Sequence, residues 1–433
     1  MKRVLVITYY WPPSGGSGVQ RWVKFSKFLP ENGWEAVVYT PENPTLTAID
    51  ETLAAEVPPG TEVIRRPILE PYGFYRKLVG KKGDAITNEV TPISSGRKPF
   101  KDRLSLWFRG NVFIPDPRIW WVRPSVRFLK KYLREHPVDA IVTTGPPQSL
   151  HLIGQRLHRA LGIPWVVDFR DPWSKMYYLK HLPISPRAWR KHLRLEQGVI
   201  DDATTVLTVT PLVQELYAGM TRTPVAMIPN GFDEEDFAGA APGRDGFFNL
   251  THTGLFAADG NPLVLWKVLG EMVADDPAFK AALRLRLVGK VDAVVLDAMR
   301  ASGLGDQIVM LGYKAHPEAV LEQRAASVLI LPLRNDPDYA LILPGKLFEY
   351  LASRRPVLGI GQEDGAMARV LSDCHAGVTC DWSNEAGIRA FLQNAWAEHL
   401  SGGVKPAEGD ISAYTRKNTA RALAGLLNSL FHE

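Results

Sequence analysis

The chain has 433 residues, of which 45% are hydrophobic and 22% are charged, and its formal net charge is +5. This composition excludes a disordered or fibrous chain, and the length exceeds what one hydrophobic core usually holds, so we expect a globular protein of two domains. No apolar run reaches the roughly 18 residues of a membrane span, and two cysteines cannot form a zinc site alone, so we expect a cytoplasmic protein with free thiols.

The first half alternates short apolar strands with amphipathic helices. Strands are predicted at residues 3–8, 35–40, 140–144, 165–169 and 204–210. Apolar residues at helical spacing predict helices over residues 19–29 and 150–161. Such alternation is typical of a parallel, doubly wound sheet. The interval 41–101, rich in proline, glycine and charge, is predicted to run over the surface.

A glycine-rich turn follows the first strand. Gly15, Gly16 and Gly18 lie between that strand and the first helix, where backbone N–H groups can approach a phosphate closely. Their spacing matches neither the dinucleotide fingerprint nor the P-loop. A tight connection without a ligand is the alternative.

Residues 97–134 combine eleven lysines and arginines with aromatic residues: Trp107, Phe108, Phe113, Trp120, Trp121 and Phe128. Basic residues interleaved with tryptophans suit an anionic membrane surface or a nucleic acid. No nucleic-acid-binding motif is present, so we favour the membrane surface and expect no nucleic acid partner. The alternative is a solvated basic face above buried aromatic residues.

Charged residues stand at the end of the apolar strand at residues 165–169. Asp168, Arg170 and Asp171 need partners if they are buried there, so Arg170 and Asp171 are candidate catalytic residues. A purely structural Arg170–Asp171 pair is the alternative. His151, one turn into a predicted helix, is a further candidate, and packing is as good an explanation for it.

The second half repeats the alternation. Strands are predicted at residues 285–288, 308–311, 328–333, 356–360 and 377–379, and helices at 317–326, 346–352 and 414–431. The two halves join near residues 224–243. We therefore predict an N-terminal domain at residues 1–225, a C-terminal domain at 226–410 and a terminal helical segment at 411–433.

The segment Pro344-Gly345-Lys346-Leu347-Phe348-Glu349 is the most informative in the chain. A proline at a helix start costs no hydrogen bond, and the free N–H groups there attract phosphate. Lys346 and Glu349 share one helix face, and a carboxylate in that place can accept both hydroxyls of a ribose. Together these groups indicate a nucleotide-diphosphate site. A solvated ion pair is the alternative.

This segment, with the Arg355-Pro356-Val357-Leu358 that follows, resembles the donor-site signature of retaining family 4 glycosyltransferases. The resemblance implies the GT-B fold, in which two Rossmann-like parallel-sheet domains face a central cleft and the terminal helix packs back toward the N-terminal domain. It implies retaining transfer of a hexose from a nucleotide-diphosphate sugar to a glycan or lipid-linked acceptor. It also implies that the donor is bound by the glycine turn and by Thr253, Gly254, Lys290, Tyr313, Leu343, Pro344, Gly345, Lys346 and Glu349.

The chain departs from the family pattern at several positions. Leu255 and Gly260 occupy the places of an Arg and a Lys that clasp the diphosphate in relatives. Leu341 replaces the first Glu of the family motif, and Arg170 replaces a His. At these positions the chain therefore has no residue that could make the catalytic contribution usually assigned to that Glu or that His.

Other cations must then neutralise the phosphates, and Lys346, Lys290 and Arg21 are the candidates. No Asp-x-Asp motif is evident, so we expect no catalytic metal and no cofactor besides the nucleotide-diphosphate sugar. Two other functions stay open at this point: a nucleotide-sugar 2-epimerase of the same fold, and a nucleotide-sugar-binding protein without activity.

Overall fold

The computed structural model describes residues 1–45, 49–70, 100–239, 242–243 and 245–431. The chain forms two compact units, of which the first contains residues 1–229 and 416–433 and the second contains residues 230–415. In the described residues, each unit is built on one sheet of parallel strands.

The sheet of the first unit has the strand order β3-β2-β1-β4-β5-β6-β7. Its strands are nearly continuous apolar runs, as expected where helices cover both faces of a parallel sheet. The chain winds outward in one direction from β1 to β3 and in the other from β4 to β7, so the winding reverses between β1 and β4. The strands are β1 (Lys2–Ile7), β2 (Trp34–Pro41), β3 (Glu62–Arg66), β4 (Ala140–Gly145), β5 (Trp165–Phe169), β6 (Thr205–Thr208) and β7 (Val225–Met227).

Helices connect these strands. In α1 the side chains of Val19, Trp22 and Val23 are buried in the core against β1 and β2, which is the stripe that the helical spacing predicts. The helices are α1 (Ser17–Phe28), α2 (Thr52–Ala55), α3 (Phe100–Asn111), α4 (Val122–Glu135), α5 (His151–Leu161), α6 (Tyr177–Lys180), α7 (Pro186–Asp202) and α8 (Pro211–Ala218).

The second unit repeats the design with the strand order β10-β9-β8-β11-β12-β13, so its winding reverses between β8 and β11. The strands are β8 (Phe248–Thr253), β9 (Leu283–Val288), β10 (Ile308–Gly312), β11 (Val328–Pro332), β12 (Val357–Ile360) and β13 (Gly377–Cys380). The helices are α9 (Leu263–Asp275), α10 (Pro277–Ala282), α11 (Ala293–Ala301), α12 (His316–Ala325), α13 (Lys346–Ala352), α14 (Ala366–Asp373) and α15 (Glu385–Leu400).

The last helix, α16 (Arg416–Ser429), belongs to the first unit. Its apolar residues Ala420, Leu423 and Leu427 are buried in the same core as α1. Asn428 accepts a hydrogen bond from the indole N–H of Trp34 at 3.2 Å. The end of the chain therefore returns to the domain in which the chain begins.

The predicted fold class, two Rossmann-like domains with parallel sheets, is confirmed. Three strands were missed: β3, β7 and β8. The surface path predicted for residues 41–101 is wrong at Glu62–Arg66, which forms the edge strand β3 beside β2, and residues 71–99 lie outside the described part of the chain. Among the described helices, none has the length and apolar character needed to cross a membrane.

A fully buried ion pair ties α1 to the end of β5. The Arg21 Nε and Nη2 atoms lie 3.2 Å from the two Asp168 carboxylate oxygens, and both side chains have no solvent exposure. The indole N–H of Trp22 donates to the same carboxylate at 2.9 Å. Burial alone would raise the pKa of Asp168, but Arg21 and these hydrogen bonds hold that pKa below its ordinary value.

We expect Asp168→Asn to lower the free energy of unfolding by about 3–5 kcal/mol, because Arg21 would be left buried without its counter-charge. Asp171→Asn is the matched control and should cost much less, since Asp171 forms no ion pair within the described residues. Urea denaturation at pH 7 measures both. The Asp168 contribution should fade as the pH falls through the lowered pKa of its carboxyl group. Equal destabilisation by the two substitutions would contradict this assignment.

Candidate functional site

One candidate site lies in the second unit, at the carboxyl ends of β8, β9 and β10, where open parallel sheets usually bind ligands. Each strand is followed or ended by a glycine with positive φ: Gly254 (+91°), Gly289 (+105°) and Gly312 (+65°). Gly254 N donates to Val288 O at 2.8 Å, and Gly289 N donates to Gly312 O at 2.6 Å. A Cβ on Gly289 would lie 2.5 Å from the Gly254 carbonyl oxygen, so only glycine allows this close packing of the loops.

Lys346, the first residue of α13, brings its ammonium group to these loops. Its Nζ lies 3.3 Å from Nε2 of His252 and 3.2 Å from the point where a Cβ on Gly254 would be. Burial lowers the pKa of Lys346 to about 8, and nearby Glu349 opposes that shift. The ammonium is therefore partly stripped of water where it faces Gly254.

His252 holds this ammonium as a neutral acceptor. Burial, followed by the charge of Lys346, lowers the pKa of His252 well below its usual range. Its Nδ1 lies 3.1 Å from the carbonyl oxygen of Ile330, so Nδ1 carries the proton and donates there. Nε2 is then without a proton and accepts from Lys346 at 3.3 Å, although the carbonyl oxygen of Leu255 lies equally close to it at 3.3 Å.

Glu349, one turn further along α13, is oriented by a side chain that the sequence analysis did not identify. Gln323 Nε2 donates to Glu349 Oε2 at 2.9 Å and to Thr253 Oγ1 at 3.2 Å. The Ser353 hydroxyl, which has one proton to donate, lies 3.2 Å from Gln323 Oε1 and 2.9 Å from the carbonyl oxygen of Glu349. Within the described residues, Glu349 Oε1 accepts no hydrogen bond.

The structure thus brings Thr253, Gly254, Lys346 and Glu349 together. Leu343 is buried, and Pro344 and Gly345 lead from it into α13. The side chains of Lys290 and Tyr313 are exposed, Tyr313 to 92%, just after β9 and β10. In the described part of the chain, neither side chain forms a hydrogen bond or ion pair, so they line the neighbouring strand ends without joining the cluster.

Arg21 is not available to a phosphate. Its guanidinium is fully buried, is paired with Asp168 and also donates to the carbonyl oxygen of Pro229 at 3.0 Å. The hypothesis that Arg21 neutralises the donor is therefore wrong. Leu255 is 48% exposed, and Leu341 ends a short 3₁₀ helix, Pro337–Leu341, so neither position supplies a charge.

A separate candidate site is a cavity of about 580 Å³ in the N-terminal domain. Its lining includes Gly15, Gly16 and Gly18, which the sequence analysis predicts to bind the donor, and Arg170 and Asp171, which it predicts to be catalytic. It also includes residues that the analysis missed: Tyr10, Arg109, Asp116, Arg118, Tyr178 and His192. These come from loops and helices far apart in sequence, and no local motif marks them.

The guanidinium of Arg170 lies against Gly18. Its Nε donates to Gly145 O at 3.0 Å and its Nη2 donates to Pro146 O at 2.8 Å. A Cβ on Gly18 would lie 2.0 Å from Arg170 Nη1, so the guanidinium keeps its position only while residue 18 has no side chain. Burial raises the pKa of the neighbouring Asp171, although the charge of Arg170 acts against that shift.

His151 has a packing role. It is fully buried, its Nδ1 lies 2.9 Å from the hydroxyl of Thr143, and burial lowers its pKa to about 3. It does not line the cavity. The histidine at the cavity is His192, whose Nδ1 accepts from the indole N–H of Trp173 at 3.2 Å and whose pKa burial lowers to about 4. Both imidazoles are therefore neutral near pH 7.

Within the described residues, no group of three or more His, Cys, Asp or Glu side chains is arranged to hold a metal ion. The two cysteines, Cys374 and Cys380, are buried and free.

Residues 16–231 match the model of the family described as "Glycosyl transferase 4-like domain". Sucrose-phosphate synthase from Thermosynechococcus elongatus is similar in structure, with a TM-score of 0.57, 14% identity, and 99% of this chain and 96% of that chain covered. HepE of Anabaena, solved in complex with UDP-glucose, is similar with a TM-score of 0.55, 12% identity, and 99% and 97% covered.

A third similar structure is the UDP-forming α,α-trehalose-phosphate synthase of Burkholderia vietnamiensis. Its TM-score is 0.57 at 14% identity, with 99% of this chain and 100% of that chain covered. No curated protein sequence matches this chain significantly. At these identities, the structural likeness establishes the fold alone.

Proposed function

The chain carries a glycosyl transferase 4-like domain and has the GT-B fold, and from this premise we propose that it is a retaining glycosyltransferase. The donor is a nucleotide-diphosphate sugar, the group transferred is a hexose, and the acceptor is a glycan or a lipid-linked sugar. The observation that carries the proposal is the pairing of a partly buried ammonium with an oriented carboxylate on α13.

Lys346 binds the diphosphate, and Glu349 binds the ribose. The Lys346 ammonium faces the glycine loops, where backbone approaches closely enough for phosphate oxygens to fit. The free oxygen of Glu349 and the oxygen shared with Gln323 accept the two ribose hydroxyls. Thr253, Gly254, Lys290 and the backbone from Leu343 to Gly345 contact the diphosphate and sugar, and the exposed ring of Tyr313 stacks on the base.

In the reaction, the acceptor hydroxyl forms a bond to the anomeric carbon on the face from which the diphosphate leaves. The carbon–oxygen bond to the diphosphate breaks, its electron pair leaves with the nucleoside diphosphate, and the hydroxyl proton passes to the departing phosphate oxygen. Lys346 lowers the barrier because it stabilises the charge that develops on that oxygen. No protein nucleophile is needed in this scheme.

The acceptor binds in the N-terminal cavity. Arg170 and Asp171 line that cavity at the carboxyl end of β5, together with the glycine turn. Because burial raises the pKa of Asp171, its carboxylate gains from a hydrogen bond that replaces lost water. We propose that this bond comes from a hydroxyl group of the acceptor.

We also propose that the protein is cytoplasmic and binds peripherally to an anionic membrane, where a lipid-linked acceptor lies. Trp107, Phe108 and Trp120 are 44–49% exposed on α3 and on the turn before α4. Along α4, basic side chains surround a shallow groove: Arg123, Arg127, Lys130, Lys131 and Arg134, with Arg156 from α5. Exposed tryptophans beside a row of cations suit the interface of an anionic leaflet.

Glu349→Ala should weaken binding of a nucleoside diphosphate by about 1.5–3 kcal/mol, the usual value of hydrogen bonds to a charged group. Lys346→Ala should weaken diphosphate binding and leave binding of the plain nucleoside nearly unchanged. Isothermal titration calorimetry with both ligands measures these effects. An unchanged affinity of Glu349→Ala for the diphosphate would overturn the ribose assignment.

The same titrations, repeated at several pH values, test whether the charge of Lys346 contributes to diphosphate binding. Because the pKa of Lys346 is about 8 before a ligand binds, diphosphate affinity should fall as the pH rises above 8. Lys346→Arg keeps its charge throughout this range and should show no such decline. An identical decline in both proteins would assign the titration to another group.

Activity should survive excess EDTA, because Lys346 supplies the positive charge next to the departing phosphate. Release of the nucleoside diphosphate from a nucleotide-diphosphate sugar measures this activity. A loss of activity in EDTA that Mg²⁺ or Mn²⁺ restores would show that a divalent ion takes part.

The protein should sediment with vesicles that contain anionic lipid at low salt and should be released at 1 M salt, where the Debye length is only about 3 Å. The triple substitution of Lys130, Lys131 and Arg134 by Glu should abolish sedimentation and leave nucleotide binding intact. Charge reversal at Arg187, Lys191 and Arg194, three exposed residues of α7, is the matched control. Equal binding to neutral vesicles, or equal effects of both triple variants, would contradict the assigned surface.

A further inference from the structure

We infer that the N-terminal cavity binds an acidic acceptor, which carries a phosphate or carboxylate group, and that Arg109 and Arg170 are its cations. The inference rests on the proposed function, because it names the chemical class of the acceptor. The described lining contains three guanidinium groups (Arg109, Arg118 and Arg170) and two carboxyl groups (Asp116 and Asp171). A charged group of this lining that has no ion-pair partner within the protein is available to a ligand, so the partners of each group are considered in turn.

Arg118 and Asp116 are satisfied by the protein itself. The Arg118 Nε donates to Glu70 Oε1 at 3.0 Å, with 5% and 9% of the two side chains exposed. The same guanidinium packs over the ring of Tyr9, at 4.6 Å from its centroid. Asp116 accepts from the backbone N–H of Arg118 at 2.9 Å and from the N–H and hydroxyl of Ser149 at 2.7 and 2.8 Å. These two residues stabilise the cavity wall.

Arg170 is held in place by hydrogen bonds to uncharged groups and forms no ion pair among the described residues, although the charges of Asp168 and Asp171 act on it. Its described hydrogen bonds go to the carbonyl oxygens of Gly145 and Pro146, which carry no net charge. The carboxylate nearest in sequence on its N-terminal side, Asp168, is already engaged by Arg21. Burial lowers the pKa of Arg170, which shows that its guanidinium has lost part of its hydration.

The other two charged groups of the lining, Arg109 and Asp171, also form no ion pair among the described residues. Among the described side chains, Asp171 forms no ion pair with Arg170. Arg109 likewise has no carboxylate within ion-pair distance in the described structure, and its guanidinium lies 5.8 Å from the centroid of the Tyr178 ring. Packing on a ring leaves the planar fork of an arginine available to an oxyanion.

The rest of the cavity suits the body of such an acceptor. Met176, Leu179 and Leu182 give it an apolar wall beside Tyr178. Its volume of about 580 Å³ is in the usual range of small-molecule sites. An uncharged acceptor would leave both guanidinium groups without an ion-pair partner, whereas an oxyanion would give them one.

Inorganic phosphate is the first probe, and the full chain carrying Lys346→Ala is the test protein, because that substitution removes the ammonium of the donor site. We expect phosphate to bind this protein, and Arg109→Gln to weaken the binding about tenfold, the effect of losing roughly one charge-assisted hydrogen bond. Arg187→Gln, at an exposed arginine of α7, is the matched control and should have no effect. Titration calorimetry measures all three.

Gly18→Ala provides a second variant that removes no charge. Its Cβ would lie 2.0 Å from Arg170 Nη1, so the guanidinium must move and phosphate binding should weaken. Circular dichroism establishes that each variant is folded.

The same titrations with acetate in place of phosphate distinguish the two kinds of acidic group. Tighter binding of acetate would identify a carboxylate on the acceptor, and tighter binding of phosphate would identify a phosphate.

Equal affinities of the Arg109→Gln and Arg187→Gln proteins, or no binding of either anion after Lys346→Ala, would overturn the inference. Nucleoside diphosphate binding to the otherwise unmodified chain is measured in parallel. If that binding is present, failure with phosphate concerns the acceptor class alone. If it is absent, the proposed transferase function fails independently of the cavity.

Discussion

The proposed chemistry depends on one contact, the hydrogen bond from the Lys346 ammonium to His252. The imidazole accepts because burial keeps it neutral and because its other nitrogen donates to the Ile330 carbonyl. A carboxylate in the place of His252 would hold the lysine equally well but would cancel much of its charge. A neutral acceptor holds the cation and leaves its charge for a ligand, which matters most where water is partly excluded. Burial lowers the pKa of Lys346 to about 8, against the opposing charge of Glu349.

The N-terminal domain uses the same principle with a different side chain. At the end of β5, Asp168 and Arg21 neutralise each other completely and hold α1 in place. Two residues later, Arg170 is oriented by carbonyl oxygens that do not neutralise it. Neighbouring charged residues of one strand end thus have separate roles, one in stability and one at the cavity. The distinction depends on the partner of each group, which the sequence does not show.

The sequence predicted what depends on local spacing. The alternation of apolar strands and amphipathic helices identified both parallel-sheet domains, and α13 was predicted with its observed bounds because its start, charges and following strand are contiguous. The strands β3 and β7 were missed because they are short and only partly buried. Gln323 lies 26 residues before Glu349, and Asp168 lies 147 residues after Arg21, so neither partner could be recognised from spacing. Arg21 was consequently mistaken for a candidate phosphate ligand.

The most direct test of the central claim is a thermal-shift comparison of the full chain with a panel of nucleotide-diphosphate sugars, the matching nucleoside monophosphates and free sugars. We expect one or a few nucleotide-diphosphate sugars to stabilise the protein, by about 2.7 kcal/mol at a hundred times their dissociation constant, and monophosphates and free sugars to do so much less. Stabilisation by none of the nucleotide-diphosphate sugars, or by monophosphates to the same degree, would contradict it.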